Sequence, residues 1–158
     1  MCGIAGVIHS DKNRAIDSQT LVNMAAIQYH RGPDNFGYHN PQGAGVGLSH
    51  ARLTIIDLDE ERGREPHVSD DGRYMMVHNG EFYDFQRIRA SMTAQGARFQ
   101  SKSDSELVLQ MYPHYGIEKT VENLRGEFAF SIYDREEETM YLVRDRFGIK
   151  PLYWTETE

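Results

Sequence analysis

The first nine residues constrain the fold more than any other stretch of this sequence. Residues 3–9 read GIAGVIH, a run of small, apolar and β-branched residues that is typical of a buried β-strand. The polar stretch DKNRAIDSQ follows after Ser10. Chain termini usually fray unless packing holds them in place. A core strand that begins at residue 3 therefore predicts a fold built around its own N-terminus, and a functional N-terminus would explain that arrangement.

Cys2 stands directly before this strand and is the single cysteine of the sequence. A lone cysteine is more often a small buried hydrophobe than a reactive group. Its position changes this expectation, because removal of Met1 would leave a thiol and an α-amine on one residue. The ordinary pKa is about 8.5 for the thiol and about 7.7 to 8.0 for the amine, so a neutral amine can accept the thiol proton near neutral pH. Cys2 is therefore a candidate nucleophile that carries its own base.

Four further residues match what such a nucleophile needs to attack an amide of a free amino acid. Asn79 and Gly80 can direct N–H groups at a developing oxyanion, one from its side chain and the other from its backbone. Arg52 can bind an α-carboxylate through two hydrogen bonds, and Asp104 can hold an α-ammonium. Taken singly, each is more often a tight turn, a surface ion pair or a helix-end charge. As a set they predict an amino-acid site.

The remainder of the chain alternates between helical and strand-like segments, which favours a layered fold of helices and antiparallel sheets. Helical spacing covers residues 20–30, 82–95 and 117–124, and the capping-box pattern Ser103-x-x-Glu106 predicts a further helix through residue 112 with Asp104 in its first turn. Strand-like runs cover residues 46–57, residues 74–78 up to a turn at Asn79-Gly80, and a hairpin of residues 127–133 and 139–143. The tail RDRFGIKPLYW predicts a loop and one more strand.

Composition narrows the classes of function. The chain has 158 residues, 39% of them hydrophobic and 26% charged, which fits one packed domain. The net charge of -7 and the scattered basic residues disfavour a nucleic-acid partner. The sequence has neither a signal-peptide pattern nor an apolar stretch of about 20 residues, so no membrane partner and a cytoplasmic location are expected. Metal-ligand spacings and phosphate-binding loops are also missing, so this chain is expected to bind no metal or nucleotide cofactor.

Seven motifs cover nearly the whole chain in a fixed order. They are MCGIAGV at the start, RGPDNFG at 31–37, SHARLTIID at 49–57, HNGEFYD at 78–84, KSDSE at 102–106, LRGEFAFSIYD at 124–134 and RDRFGIKPLY at 144–153. In order and spacing the chain resembles the class II glutamine amidotransferases, and among them the glutaminase domain of asparagine synthetase. Each motif alone is weak, whereas the combination is specific.

This resemblance implies an N-terminal nucleophile hydrolase fold, an α+β four-layer α/β/β/α sandwich of two antiparallel sheets. It implies that Cys2 is the nucleophile and that Asn79 and Gly80 form the oxyanion hole. The residues that would bind L-glutamine are Arg52 at the carboxylate, Glu81 and Asp104 at the α-amino group, and Leu53 and Ile55. The implied reaction gives glutamate and ammonia, and the ammonia would feed an ATP-dependent amidation of the asparagine-synthetase kind.

The chain departs from the family pattern at three places. Residues 64–67 read Arg-Glu-Pro-His where a Gln-Pro-Met-like segment is usual, and Asp84 replaces the commoner asparagine; we expect neither change to touch a catalytic atom. The family's further strand and its ATP-binding synthetase domain lie outside residues 1–158, so these residues are expected to be one amidotransferase domain, either half of an enzyme or a piece of a longer chain. ATP and Mg would then be bound only by a synthetase domain or subunit that receives the ammonia.

Two other functions are open at this point. A catalytically silent domain of the same fold could act in regulation or assembly, and a retained Met1 would produce it by holding the Cys2 amine in a peptide bond. An α+β binding protein whose activity does not use the cysteine is the second alternative, because motif matches are hypotheses.

Overall fold

The structure is a computed structural model that describes residues 1–55 and 63–157. Its elements are β1 (Gly3–Ile8), α1 (Ser18–Ala26), β2 (Asn35–His39), β3 (Val46–Arg52), β4 (His67–Val68), β5 (Tyr74–Phe82), α2 (Phe85–Ala94), α3 (Glu106–Asn123), β6 (Gly126–Asp134) and β7 (Thr139–Arg144). The strand-like run at 46–57 is observed as β3, and its last two residues lie outside the described residues. None of these helices has the length and apolarity needed to cross a bilayer.

The strands form two antiparallel sheets that face each other. The first sheet has the strand order β1-β3-β2 and the second has the order β4-β5-β6-β7. Helix α1 packs on the strands of the first sheet, α3 packs on β4 and β5, and α2 packs on α3. Contacts of β1 and β3 with β5 join the two sheets. The layers are therefore α1, first sheet, second sheet, and α2 with α3, which confirms the predicted α+β sandwich.

Strand β5 sends alternate side chains into two different cores. Met75 and Val77 belong to the apolar cluster between the sheets, while Met76 belongs to the cluster between the second sheet and the helices. Successive side chains of a strand point to opposite faces. The same alternation places Asn79 and Glu81 on the face that looks toward the first sheet, where the chain begins.

The predicted burial of the first strand is only partly correct. Strand β1 lies at the edge of its sheet, and of its six residues only Gly3 is buried, whereas all seven residues of β3 are buried. The core strand is therefore β3, and the N-terminus is held beside it. Gly3 pairs with Ala51 of β3, and Arg31 Nε donates a hydrogen bond of 3.0 Å to the Cys2 carbonyl oxygen.

The predicted turn at Asn79-Gly80 is wrong, because β5 continues through both residues to Phe82. Gly80 has a φ of 149° and pairs with Phe128 of β6. A Cβ at this position would overlap the carbonyl oxygen of Glu127. Glycine is required here by a close approach of two strands, so the dipeptide marks an irregular strand rather than a reversal of the chain.

The capping box predicted at Ser103 and Glu106 does not form. The N-cap of α3 is Ser105, which makes no side-chain capping bond, and Asp104 precedes the helix. The Glu106 carboxylate instead accepts the N–H groups of Gln100 and Ser101, at 2.7 and 2.8 Å. The carboxylate thus closes the preceding loop, and this competing set of hydrogen bonds explains why the sequence pattern was misleading.

The two helices predicted after residue 102 are parts of α3, which has a kink at Gly116 with a φ of 72°. The helices at 20–30 and 82–95 are confirmed as α1 and α2 with shorter bounds, and the hairpin is confirmed as β6 and β7. The final strand is wrong: within 145–157, as far as the structure describes them, no strand forms. Asp145 accounts for this, because its carboxylate accepts the N–H groups of Phe128, Phe147, Ile149 and Lys150 and curls the tail into a loop.

Replacing Gly80 by alanine tests the close approach of β5 and β6. A strained backbone conformation alone costs about 1 to 3 kcal/mol. We expect Gly80→Ala to lower the free energy of unfolding by more than this, because β6 must also move. Gly72→Ala is the matched control, since Gly72 has a φ of 70° and open space where a Cβ would stand. Urea unfolding measures the loss of unfolding free energy in each variant. Equal losses in Gly80→Ala and Gly72→Ala would contradict the close contact of β5 and β6.

Candidate active site

A cavity of about 160 Å³ lies where the chain start, β3 and β5 meet, and all eight predicted site residues border it. Those eight residues are Cys2, Arg52, Leu53, Ile55, Asn79, Gly80, Glu81 and Asp104. Eight others that the sequence did not assign also border it, namely Met1, His50, Gly63, Glu65, His78, Ser103, Glu127 and Lys150. Residues that are far apart in the sequence thus surround a single space.

The Cys2 side chain is fixed by the backbone of Leu53. The Leu53 N–H donates a hydrogen bond to Cys2 Sγ at 3.4 Å. The Cys2 thiol in turn donates to the Leu53 carbonyl oxygen at 3.7 Å. Leu53 immediately follows β3, so the central strand of the first sheet positions the sulfur. Leu53 thereby contributes main-chain groups to the site in addition to bordering the cavity.

The environment of Cys2 favours the neutral thiol. Burial raises the pKa of the Cys2 thiol, and the negative charge of Glu65 raises it further. The Leu53 N–H, the positive chain terminus and Arg52 act in the opposite direction without overcoming burial. Because the thiolate is the nucleophilic form, the sulfur needs a nearby base that can remove its proton.

Met1 borders the same cavity and is 55% exposed. Its sulfur lies 3.6 Å from Lys150 Nζ, and this lysine forms an ion pair of 2.9 Å with Glu127. While Met1 is attached, the nitrogen of Cys2 is an amide and cannot accept a proton. Removal of Met1 would supply the base that the thiol needs and would open part of the cavity wall.

One edge of β5 carries a row of outward-facing N–H groups. The His78 N–H donates to Glu65 Oε2, and the Phe82 N–H donates to Asp104 Oδ2 at 2.7 Å. Alternate residues of an antiparallel strand direct their N–H groups to the same edge. The Gly80 N–H belongs to this row and falls between the two occupied positions, at the point where the cavity opens.

The partner strand supports the outward direction of the Gly80 N–H. Phe128 lies opposite Gly80, but its carbonyl oxygen accepts from the Asp145 N–H at 2.8 Å and its N–H donates to the Asp145 carboxylate at 3.2 Å. The pair of Gly80 and Phe128 is therefore a pair without mutual hydrogen bonds. A ligand in the cavity can receive the Gly80 N–H.

Asn79 presents a polar side chain that the protein does not satisfy. The residue is 3% exposed, and within residues 1–55 and 63–157 its Oδ1 has no hydrogen-bond partner. Leaving a buried polar atom unpaired costs about 1 to 3 kcal/mol, and native structures rarely tolerate this without a functional reason. Because the unpaired Oδ1 is an acceptor, it is suited to a donor group of a bound ligand, whereas only the Nδ2 of the same amide can donate to an oxyanion.

Charges of both signs border the cavity. The Arg52 guanidinium lies against Gly63, where any Cβ would overlap its nitrogen atoms. Glu81 and Glu127 lie directly opposite each other on β5 and β6, and Asp104 is nearby in the cavity wall. Lys150 neutralises Glu127, which leaves Glu81 and Asp104 to face a ligand. A guanidinium and a pair of carboxylates match the two charged groups of a free amino acid.

Asp104 titrates at a pH that matters for binding. Burial raises the pKa of Asp104 to about 6, the N–H of Phe82 opposes this rise, and the negative charge of Glu81 adds to it. Asp104 is thus ionised at pH 7 and becomes neutral as the pH falls through about 6.

In the part of the chain that the structure describes, no group of three His, Cys, Asp or Glu side chains is arranged to hold a metal ion.

A family model of the glutamine amidotransferase domain matches residues 1–158. The chain belongs to the glutamine amidotransferase domain family. The resemblance inferred from the sequence motifs is thereby confirmed, and the cavity at the chain start is the candidate active site of an amidotransferase domain.

Several relatives match nearly all of this chain. The asparagine synthetase [glutamine-hydrolyzing] 1 of Bacillus subtilis is 39% identical over 98% of this chain and 24% of its own length. The amidase chry2 of Gibberella zeae is 37% identical over 98% of this chain and also 24% of its own length. The chain therefore spans about a quarter of the length of these curated relatives.

A solved structure supports the fold. The glutamine phosphoribosylpyrophosphate amidotransferase from Bacillus subtilis superimposes with a TM-score of 0.54, over 71% of this chain and 26% of that chain. The two sequences are 22% identical over this region. At this level of identity the similarity shows a shared fold.

Some residues of the cavity wall could have been found from the sequence and others could not. Glu127 and Lys150 lie in the motifs LRGEFAFSIYD and RDRFGIKPLY, so the motifs contain them even though the residue chemistry gave no reason to choose them. Glu65 lies in the unusual segment 64–67, whose departure from the family pattern we expected to touch no catalytic atom. It is buried in the cavity wall and bonds the residue before Asn79. Its role depends on where β4 begins, which no local pattern reveals.

Proposed function

We propose that this domain hydrolyses the side-chain amide of L-glutamine to glutamate and ammonia, with Cys2 as the nucleophile. The observation that carries the proposal is the meeting of a chain-start thiol, the outward-facing Gly80 N–H and charges of both signs at one cavity. Each of these features answers one requirement of amide attack on a free amino acid.

In the first half of the reaction, the Cys2 α-amine exposed by loss of Met1 accepts the thiol proton. The sulfur then forms a bond to the side-chain amide carbon of glutamine, and the carbonyl oxygen becomes an oxyanion. The Gly80 N–H and the Asn79 side-chain amide stabilise this charge, and losing one such donor typically slows a reaction about 100- to 1000-fold. Ammonia leaves when the carbon–nitrogen bond breaks and the α-ammonium returns its proton to the departing nitrogen.

In the second half, the product of the first step is a γ-glutamyl thioester on Cys2. Water attacks the same carbon, and the neutral α-amine accepts a proton from it. The same oxyanion donors stabilise the second tetrahedral intermediate. When the carbon–sulfur bond breaks, the sulfur recovers its proton from the ammonium, and glutamate leaves with the enzyme returned to its starting state.

The substrate is held through its two charged groups. Arg52 binds the α-carboxylate, and Glu81 and Asp104 bind the α-ammonium, an arrangement that fixes the length and direction of the side chain between them. Leu53 borders the same space, and Ile55, which is 68% exposed, covers the cavity mouth. A thiol attack then reaches the amide at the far end of the glutamine side chain.

The ammonia needs an acceptor. A second cavity, which shares Cys2 and Asn79 with the first, is the observation that favours a partner protein. This cavity is lined mainly by apolar side chains, among them Ile4, Met24 and Leu152. Of its lining residues, Ile27 and Tyr153 are 80% and 90% exposed, and Trp154, which follows Tyr153 in the chain, is 73% exposed. Large apolar side chains clustered on a surface mark interaction sites. We propose that a synthetase domain or subunit covers this face and uses the ammonia in an asparagine-synthetase-like amidation, with ATP and Mg bound by that partner alone.

The competing function is a catalytically silent regulatory or assembly domain, which a retained Met1 would produce. With Met1 attached, the thiol is neutral and has no α-amine beside it. The processing of the N-terminus therefore decides between the two functions.

Glutamate release from glutamine tests the nucleophile and its base together. We expect release by the chain that lacks Met1, as verified by intact mass, and a fall of at least about 1000-fold in Cys2→Ala, because the covalent path is lost. The chain that retains Met1, made with methionine removal inhibited in the expression host, should be as inactive as Cys2→Ala. Equal release from Cys2→Ala and the parent would refute the nucleophile, and full activity with Met1 retained would refute the amine as base.

The pH dependence of glutamine binding tests Asp104. As the pH falls from 7 to 5, Asp104 gains a proton at about 6 and loses its attraction for the ammonium, so KM should rise. At pH 7, Asp104→Asn should raise KM about 10- to 100-fold, the effect of losing a charged hydrogen bond, while its remaining oxygen still accepts the Phe82 N–H. Asp71→Asn, at an exposed position, is the control. A KM that stays constant down to pH 5 would show that Asp104 does not hold the substrate.

Isotope transfer tests the ammonia acceptor. Glutamine labelled with ¹⁵N in its amide is supplied with ATP, Mg, aspartate and the protein sequence encoded after or beside this chain. We expect label in asparagine, and we expect Trp154→Ser with Tyr153→Ser to reduce label transfer without reducing glutamate release, because these side chains lie on the proposed docking face. Label that remains entirely in free ammonium with every such partner would refute the acceptor.

A further inference from the structure

The edge of β5 loses its strand partner after Met76. β4 consists of His67 and Val68 alone, and His67 lies opposite Met76. The next residue of β5 with outward-facing backbone groups is His78, and in a wider sheet a neighbouring strand would pair with both its N–H and its C=O. Side chains from two other places in the fold take over this role.

Glu65 and His50 satisfy the two backbone groups of His78. Glu65 Oε2 accepts the His78 N–H, and His50 Nε2 lies 3.2 Å from the His78 carbonyl oxygen. A carbonyl oxygen can only accept a hydrogen bond, so His50 Nε2 carries the hydrogen and donates it. The two side chains are also neighbours, with 3.7 Å between His50 Nε2 and Glu65 Oε2.

We propose that Glu65 and His50 form a positioning pair that replaces the missing strand. Glu65 fixes the peptide before His78 through its N–H, His50 fixes the peptide between His78 and Asn79 through its C=O, and together they aim the Asn79 side chain and the Gly80 N–H at the reacting carbonyl. This role rests on the proposed glutamine hydrolysis. Neither residue is assigned contact with the substrate, and both act through the backbone of β5.

The pair is held rigidly enough to do this. His50 is 2% exposed and Glu65 is 5% exposed, so water does not compete for their hydrogen bonds. The Ser105 hydroxyl also binds the Glu65 carboxyl, and His67 Nε2 lies 3.9 Å from Glu65 Oε1. On β5 itself, the His78 ring stacks on Phe82 with 4.5 Å between ring centres. His78 is therefore held by its backbone at the strand edge and by its ring on one face of the strand.

The protonation state of the pair suits a site that must stabilise negative charge. Burial raises the pKa of Glu65 to about 8 and lowers the pKa of His50 to about 3, so both side chains are neutral at pH 7. A neutral carboxyl can accept the His78 N–H without repelling an oxyanion nearby. The titratable or charged groups that face Glu65 are His50 and Arg52 from β3, His67 from β4, His78 from β5, Asp104 from the loop before α3, and Cys2.

Ionisation of Glu65 should oppose the reaction. An ionised Glu65 raises the pKa of the Cys2 thiol, and its charge lies beside the strand that receives the oxyanion. As the pH rises through about 8, the carboxyl loses its proton and the rate should fall. Glu65→Gln keeps a neutral acceptor of the same shape and has no proton to lose, so it separates charge from geometry.

Hydrogen exchange tests the geometry without reference to activity. We expect the His78 amide of Glu65→Ala to exchange at least about 10-fold faster than that of the parent, and that of Glu65→Gln to stay protected. Glu118→Gln, at an exposed position on α3, is the control and should leave this amide unchanged. Unchanged protection of the His78 amide in Glu65→Ala would overturn the proposal.

Kinetics of the chain without Met1 test the consequence for catalysis. Glu65→Ala should lower kcat at least about 10-fold and change KM by less than about 3-fold, because oxyanion donors act in the transition state. Glu65→Gln should keep a kcat near the parent value at pH 7 and lack the parent's fall above about pH 8. A rise in KM at constant kcat, or the same alkaline fall in Glu65→Gln, would overturn it.

The two measurements distinguish failure of this proposal from failure of the proposed function. If the parent chain without Met1 releases no glutamate, the proposed hydrolysis is wrong, and the exchange rates still decide whether Glu65 holds the β5 peptide. If Glu65→Ala does not fold, the alkaline profile of Glu65→Gln decides instead, because that variant keeps the acceptor.

Discussion

The short length of β4 is the constraint on which the candidate site depends. Backbone groups at a sheet edge must find partners, and a longer β4 would have paired with the whole outer edge of β5. Because β4 begins only at His67, opposite Met76, side chains occupy that edge at His78 and Phe82, and the Gly80 N–H between them is left to the cavity. An interrupted strand pairing thus creates both the opening and the donor that a substrate would use.

The first sheet contributes the opposite side of the same arrangement. Pairing of β1 with β3 brings Cys2 beside Leu53, and the side-chain alternation of β5 turns Asn79 and Glu81 toward it. The sandwich of two sheets therefore does more than bury apolar surface. It brings the sulfur from one sheet to the edge of the other, while the helices on the outer faces stay away from the cavity.

The sequence predicted the layered fold and its hairpin, because both follow from the periodicity of apolar residues. It also predicted the eight residues that the structure places around the cavity, because they lie in motifs that occur in a fixed order. It failed where long-range contacts decide the outcome. Asn79-Gly80 has the composition of a turn but continues a strand because β6 lies against Gly80. Glu106 has the spacing of a cap but closes a loop at Gln100. Glu65 was assigned no role, because its partner, the His78 N–H, is left without a strand partner where β4 begins.

The proposed use of Cys2 also limits how this domain can be joined to others. An amine that serves as the base must be the first group of the mature polypeptide, and Gly3 behind it packs closely on the Gln28 side chain. No targeting sequence, affinity tag or additional module can precede the cysteine in an active molecule unless it is cleaved off at that bond. Gene fusions that preserve activity can therefore lengthen such a protein in one direction only.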